Sequence, residues 1–396
     1  MKLRHMPISG LCLALVYLLV NRNIHITEHI KDIDWLNSIY LIATRVVSFF
    51  LIGKLLLCFN KIRTGVYAYI FLFLASIFLS TVVMGGDLRR CFSMIYPILA
   101  TNALILLYVR KEYAFCCLIN AISGLYLLLA VINFVLMVVY PQMYGDNYFL
   151  GGENHIGHTL LMGLLYNYLY SYVISDSRRL LYYVIVLVPT LLMVWSGATL
   201  LGFAFLAFSI FFPFAKKVIG RTPLLLCVSI YGYIFFTVVT LATTGMLENG
   251  YIQYVVEDVL GKDMTFSGRV FIWVVVLSGI LDSPLLGHGM RDTGDLFTIY
   301  VPMPNRPPYQ GTFSAHNQIL QFLYEGGFLS LIFVLLCVSK VSKLLKDCTD
   351  IKLASFFKCV LIAWLIMVMG EAPGFNVLTE TLMLASIAPV FIDLKK

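Results

Sequence analysis

Twelve runs of apolar side chains recur along this chain, each close to the roughly 20 residues that a helix needs to cross the hydrocarbon core of a bilayer. They lie at about 6–20, 35–59, 66–84, 92–108, 114–139, 156–174, 180–195, 198–214, 223–242, 318–339, 354–370 and 377–392. Stretches of this length in lipid have to satisfy their backbone N–H and C=O groups internally, which excludes spanning strands and leaves helices. Charged residues make up 12% of the 396 positions, against about 25% in soluble domains, and 60% are hydrophobic. That is too little charge to coat a soluble protein of this size. The expected fold is therefore an all-α polytopic membrane protein with about twelve transmembrane helices and one large outer loop carrying short helices. Residues 1–242 would hold the first nine helices, 243–317 the loop, and 318–396 the last three.

Orientation follows from the basic residues of the connections. Seventeen lysines and arginines fall on the side that includes both termini and eight on the other, so both termini are expected in the cytoplasm. This assigns the formal charge of +7 to a membrane face and excludes nucleic acid as a partner. The first run lacks a small-residue cleavage site and is expected to be retained. Nine cysteines, with no C-x-x-C pair and mostly inside apolar runs, read as packing residues.

The outer face carries two informative connections, 140–155 and about 243–315. A structureless loop as long as the second would be unusual, so it is expected to hold elements of its own. His155, His158, His288 and His316 border these loops, whereas His5 alone falls on the cytoplasmic side. Any chemistry therefore belongs outside.

Three pieces of the long loop stand out. Arg269 opens an apolar stretch at 270–281 that is too short to span, with Ser267 as a candidate N-cap. At lipid-headgroup depth this arginine reads either as a phosphate ligand, binding bidentately, or as a snorkelling side chain. Pro284-Leu-Leu-Gly287-His288-Gly289 is a breaker-rich turn that either admits a ligand close to backbone or simply reverses the chain. In Phe313-Ser-Ala-His316-Asn317-Gln318, Ser314 would cap the next helix and put His316 and Asn317 in its first turn. There the helix dipole favours a neutral imidazole able to accept a proton, and an ordinary structural histidine fits the same position.

Taken in order, Ser267-Gly-Arg269, Trp273, Pro284-Leu-Leu-Gly287-His-Gly289, Ala315-His316-Asn317, Leu320-Gln321 and Glu325-Gly326-Gly327 resemble a known signature. It is that of the O-antigen ligase and O-antigen polymerase family of bacterial envelope glycosyltransferases. The resemblance covers 267–329 and agrees with the helix layout. It implies a glycosyltransferase of the plasma (inner) membrane that moves glycan from a polyprenyl-diphosphate carrier to an acceptor hydroxyl, with no cofactor. Its partners would be the lipid-linked oligosaccharide, the bilayer, and in some systems a chain-length regulator and a flippase. Carried over by motif, Arg269 would bind the diphosphate and His316 would activate the acceptor, making these two the catalytic residues. Relatives often have Ser-Arg at the outer end of a mid-chain helix, whereas Val194-Trp195-Ser196-Gly197-Ala198 has glycine there. Arg291, Arg89, Arg90 or Arg45, the last read as buried in the second run, would supply the second diphosphate contact.

The chemistry fits these residue types. A glycosyl diphosphate already has a good leaving group, so the demand is for cations where negative charge builds up. A sugar hydroxyl is a poor nucleophile and gains about 10²- to 10⁴-fold from a base such as neutral His316. Asp146, Asn147, Glu153 and His155, with neighbouring aromatics, read as a sugar groove or as a solvated loop, and His288 and Asn317 join them as sugar-binding candidates. His155 and His158 have helical spacing but no third ligand, so no metal is expected. Arg45, Glu325 and Glu371 sit within or at the end of apolar runs, where charges are paired or functional.

The expected activity is a polymerase that joins lipid-linked repeat units of an O-antigen, capsule or exopolysaccharide. A ligase that passes finished glycan to a lipid or protein is the alternative. A flippase for lipid-linked sugars is the rival from another class, although hydropathy shows no pair of matching halves.

Overall fold

A computed structural model describes residues 7–21, 32–58, 65–140, 147–153, 155–243, 269–291, 298–301, 309–312 and 314–395. Each of the twelve apolar runs is helical within these residues. They are α1 (Pro7–Val20), α2 (Asp34–Leu57), α3 (Gly65–Val83), α4 (Leu88–Val109), α5 (Glu112–Val139), α6 (Ile156–Ile174), α7 (Arg178–Val194) and α8 (Gly197–Phe211). After them come α9 (Pro213–Arg221), α10 (Leu224–Thr243), α11 (Arg269–Asp282), α12 (Gln318–Lys346), α13 (Ile351–Met367), α14 (Asn376–Ser386) and α15 (Ala388–Lys395).

Five of these helices, α2, α3, α4, α5 and α12, are long and apolar enough to cross a membrane, and α14 with α15 makes a sixth, bent by 54°. Helix length does not carry the count to twelve. Helix α1 has 14 residues and α8 has 15, so each rises about 21–23 Å, short of a hydrocarbon core of about 30 Å. The expected run at 198–214 is also split. Helix α8 stops at Phe211, and Pro213, at the first position of a new helix where its missing N–H costs nothing, starts α9. Lys358, buried in α13, donates from Nζ to the carbonyls of Gly220 and Thr222, both at 2.8 Å, and so satisfies the orphan end of α9.

Two short antiparallel hairpins lie in the connections. Asn147–Tyr148 (β1) pairs with Gly151–Gly152 (β2), and Thr298–Val301 (β3) pairs with Tyr309–Thr312 (β4). The long loop thus holds α11 and a hairpin, as its length led us to expect.

The core is apolar, with α2 lying along α4, α3 along α12, α5 along α6 and α8 along α13. A polar cluster interrupts it. Glu380 of α14 accepts hydrogen bonds from Tyr17 Oη at 2.7 Å, from Asn21 Nδ2 at 2.9 Å and from Tyr166 Oη. The hydroxyls of Tyr17 and Tyr126 share a further bond at 3.0 Å. A carboxylate taken out of water is tolerated only with such partners, and this one ties α1, α5, α6 and α14 together.

Helix α12 is broken. Gly327 has φ +61° and ψ −168°, which frees the backbone groups of the adjoining turns. They are satisfied by the turn that follows α11. The amides of His288 and Gly289 donate to the carbonyls of Tyr324 and Glu325, at 2.7 and 2.9 Å. In return, the amides of Phe328 and Leu329 donate to Pro284 and Leu285, at 2.8 and 3.1 Å. A kinked helix in an apolar setting needs such substitute partners. The close approach requires glycine on both sides. A side-chain carbon on Gly327 would lie 2.3 Å from the Leu285 oxygen, and one on Gly287 would lie 2.5 Å from the Tyr324 oxygen. The Pro-Leu-Leu-Gly-His-Gly turn and the Glu-Gly-Gly break are therefore two halves of one structure.

Candidate functional site

The loop between α13 and α14 brings the two catalytic candidates together. Glu371, 4% exposed, holds Arg269 Nη2 at 2.5 Å through Oε1, while its Oε2 lies 3.6 Å from His316 Nδ1. Arg269 and His316 each keep about three tenths of their side-chain surface open. A carboxylate thus stands between a guanidinium that it binds and an imidazole that it faces, linking the start of α11 to the approach to α12.

Local structure fixes each partner. The helix begins three residues later than the Ser314 cap implies, because Asn317 is the N-cap. Its Oδ1 accepts from the amides of Ile319 at 2.9 Å and Leu320 at 3.1 Å, and its Nδ2 donates to the Met369 carbonyl at 2.8 Å. Asn caps about as well as Ser, and its amide also gives a donor for a second partner, here the Met369 carbonyl. His316 accordingly precedes the first turn and adopts φ +43°, a conformation that side chains rarely take and that the surrounding bonds must enforce. Trp273 Nε1 donates to the Ala315 carbonyl at 3.1 Å, and the Ala315 amide donates to Gln321 Oε1 at 2.9 Å. The Gln318 amide donates to the Val368 carbonyl and its Oε1 receives the Gly374 amide, so the 368–374 loop is sewn to the head of α12.

Other helix starts gather at the same place. The Cβ position of Gly370 lies 3.3 Å from Arg269 Nη1 and 3.9 Å from Ala198 Cβ, so the start of α8 adjoins the cluster. Gly157 in the first turn of α6 is pressed against the Thr199 side chain, where any Cβ would come within 2.4 Å of its Oγ1. The N-termini of α6, α8, α11 and α12 are thus neighbours, and each adds partial positive charge where an anion would sit. Gly197, the first residue of α8, lies at this junction.

The remaining candidates fall elsewhere. Arg45 was read as buried, but it lies on the exposed face of α2, because the buried stripe of that helix runs through Thr44, Ser48, Leu51 and Leu55. Arg291 and His288 belong to the turn against the α12 break. The Arg291 carbonyl accepts from Arg90 Nη1 at 2.7 Å, while His288 Nε2 lies 2.7 Å from the Gly279 oxygen and its ring stacks on Tyr324. Arg89 is exposed and Arg90 half-buried. On this side Glu325 is fully enclosed, with Oε1 accepting from Gln321 Nε2 at 2.7 Å. Glu153 and His155 are half-buried beside the first hairpin, which is anchored by the Leu150 amide donating to Asn133 Oδ1 at 3.1 Å. Asn147 pairs with Gly152 in that hairpin. Asp146, and Ser267 as cap of α11, lie outside the described residues. His158 is buried in α6.

Sequence reasoning noted Glu371 only as a charge at the end of a run and did not place it in the site. Its signal was positional: a lone carboxylate at the same end of the bundle as Arg269. The family model described as O-Antigen ligase matches residues 168–335, which include Arg269, His288, Arg291 and His316 but stop short of Glu371. No curated protein and no solved structure matches the chain.

Proposed function

We propose, from the match of residues 168–335 to the O-antigen ligase family model, that the chain is a polysaccharide polymerase of the bacterial plasma membrane. It transfers glycan from a polyprenyl-diphosphate carrier to a hydroxyl of a lipid-linked repeat unit on the outer face, with both termini cytoplasmic and all twelve apolar helices embedded in or spanning the membrane. The observation that carries this reading is the Glu371 bridge, which holds Arg269 and His316 around one carboxylate beside four helix N-termini.

In this mechanism Arg269 receives the diphosphate. Its guanidinium stays charged in a partly dry site and offers paired donors to phosphate oxygens as charge develops on the leaving group. Glu371 keeps the arginine aimed before the donor arrives. Nδ1 of His316 faces Glu371, and Nε2 takes the proton of the acceptor hydroxyl as it attacks the anomeric carbon. The C–O bond to the diphosphate breaks as the new glycosidic bond forms, and the carrier diphosphate leaves as the anion on Arg269. Sugar contacts fall to Glu153 and His155 with Asp146 and Asn147 of the first outer loop, and the second cation to Arg291 or Arg90.

A place for the carrier's tail supports the reading. A cavity of about 270 Å³ runs between α10, α12 and α13, walled by Tyr231, Ile319, Phe322, Leu361, Trp364 and Leu365. Ile319 and Phe322 lie one to two turns from His316, and Trp364 sits one turn before the 368–374 loop. An isoprenoid chain would leave the diphosphate at Arg269 and enter this slot.

Purified protein in vesicles containing the lipid-linked repeat tests the proposal. Chains should lengthen, and His316→Ala or Arg269→Ala should stop them. Unchanged extension by both variants refutes the site. Transfer of finished chains to a lipid acceptor without extension assigns a ligase instead.

A further inference from the structure

A second cavity lies at the opposite end of the bundle from the catalytic cluster. It has a volume of about 650 Å³ and opens between α1, α2, α4 and α5. Lys54, Arg110 and Lys111 line its rim, and Phe50, Leu104 and Leu107 are among the apolar side chains of its wall. Its position follows from α4, whose first turn holds Arg90 against Arg291 and whose last residue adjoins Arg110. The 22 residues of α4 separate the two ends by about 33 Å, roughly one hydrocarbon thickness.

The three cations come from three different helix ends: the last turn of α2, the C-cap of α4 and the N-cap of α5. Among the described residues none of them forms an ion pair, although Glu112 follows Lys111 directly. The one aromatic contact is Lys54 Nζ, 5.9 Å from the centre of the Phe50 ring. Basic residues at this end of a bundle are common, since they orient the chain. Here they converge on a concavity whose size is that of a small-molecule site and whose walls are hydrocarbon. A ligand that satisfies both parts carries an anionic head and an apolar tail, at the depth where a leaflet's own lipids have theirs.

We propose that this cavity is a binding site for one diacyl anionic phospholipid of the leaflet opposite the catalytic cluster. Its phosphate sits among Lys54, Arg110 and Lys111, and an acyl chain lies along Phe50, Leu104 and Leu107. Basic pockets between membrane helices on this kind of face recognise such headgroups. The bound lipid fills the gap between α2 and α5 and places one negative charge among three positive ones, easing their mutual repulsion.

The test is retention of lipid by the full-length protein after detergent extraction from vesicles of equal parts phosphatidylglycerol and phosphatidylcholine, read by native mass spectrometry. The expected result is one retained phosphatidylglycerol, favoured about tenfold or more over phosphatidylcholine. A triple variant, Lys54→Gln with Arg110→Gln and Lys111→Gln, should lose the preference. Leu107→Trp, which fills the wall and leaves the charges, should lose the lipid. Lys340→Gln with Lys343→Gln, at the same end of the bundle but outside the cavity, should change nothing. Photoactivatable phosphatidylglycerol should label α2, α4 or α5 in the unaltered protein, which reads the site even where a variant does not fold. Equal retention of the two lipids, labelling confined to other helices, or equal loss in the Lys340/Lys343 control overturns the proposal. Displacement by an equal amount of polyprenyl phosphate also overturns it and assigns the cavity to the carrier.

Discussion

Glu371 and Arg269, 102 positions apart in the sequence, meet at 2.5 Å, and the same carboxylate faces His316. The carboxylate is shared between the cation that would receive the donor and the base that would activate the acceptor. Glu371→Gln removes its charge and keeps its shape. Turnover in the vesicle extension assay should fall by about 10- to 100-fold, the usual cost of losing a partner that orients a functional histidine. The KM for the lipid-linked donor should not rise, because Arg269 is then released from its ion pair. A raised KM with unchanged turnover would show that Glu371 serves donor binding instead.

His316 holds a left-handed backbone conformation at φ +43°. Asparagine accepts that conformation better than most residues but is no base. His316→Asn should therefore leave thermal stability in detergent within about 1 kcal/mol and lower chain extension by about 10²- to 10⁴-fold. A loss of stability matching the loss of activity would mean that the imidazole is there for packing.

The contact between the α12 break and the 284–289 turn can be probed by a pair of alanines. Gly85 has φ +66° with open space around it, so Gly85→Ala should cost only the left-handed penalty of about 1–2 kcal/mol. Gly327→Ala adds a carbon 2.3 Å from the Leu285 oxygen and should cost distinctly more, with a correspondingly lower melting temperature. Equal effects at the two sites would show that the turn can move aside.

Removing one partner of a buried charge leaves the rest of its cluster stranded. Glu380→Ala leaves the hydroxyls of Tyr17 and Tyr166 and the Asn21 amide without their acceptor, and should destabilise by about 3 kcal/mol or more, at about 1–3 kcal/mol for each stranded donor. Tyr17→Phe removes only one of the donors to that carboxylate and should cost about 1–3 kcal/mol. Melting temperatures in one detergent rank the two, and the reverse order would count against the role assigned to Glu380.

The features legible in the sequence are those governed by neighbours along the chain. Lipid forces an apolar run to close its own hydrogen bonds, so each run appears as a helix within a few residues. Arg269 at a helix start and His316 beside Asn317 were legible for the same reason. Relationships that depend on distant partners were not. Gly327 reads as part of a continuous run, because the groups that replace its helical bonds come from Pro284 to Gly289, some forty positions earlier. Glu380 drew no notice in an apolar context, since its three donors lie on helices near the N-terminus and mid-chain. Arg45 was read as buried because a run of apolar residues does not say which of its faces looks inward, and in α2 that face turns out to be the one with Thr44 and Ser48.

The break at Gly327 also has a mechanical meaning. It divides α12 into a short piece that bears the Asn317 cap and a long piece that continues to Lys346. A rigid helix changes its tilt when the bilayer thins or thickens, and would swing its head with it. Here both pieces are fastened by backbone bonds to the 284–289 turn, and the short piece is also fastened to the 368–374 loop, so the head is held by contacts outside its own helix. The spacing between Arg269 and His316 is thereby set by the 284–289 turn and the 368–374 loop and not by the straightness of α12.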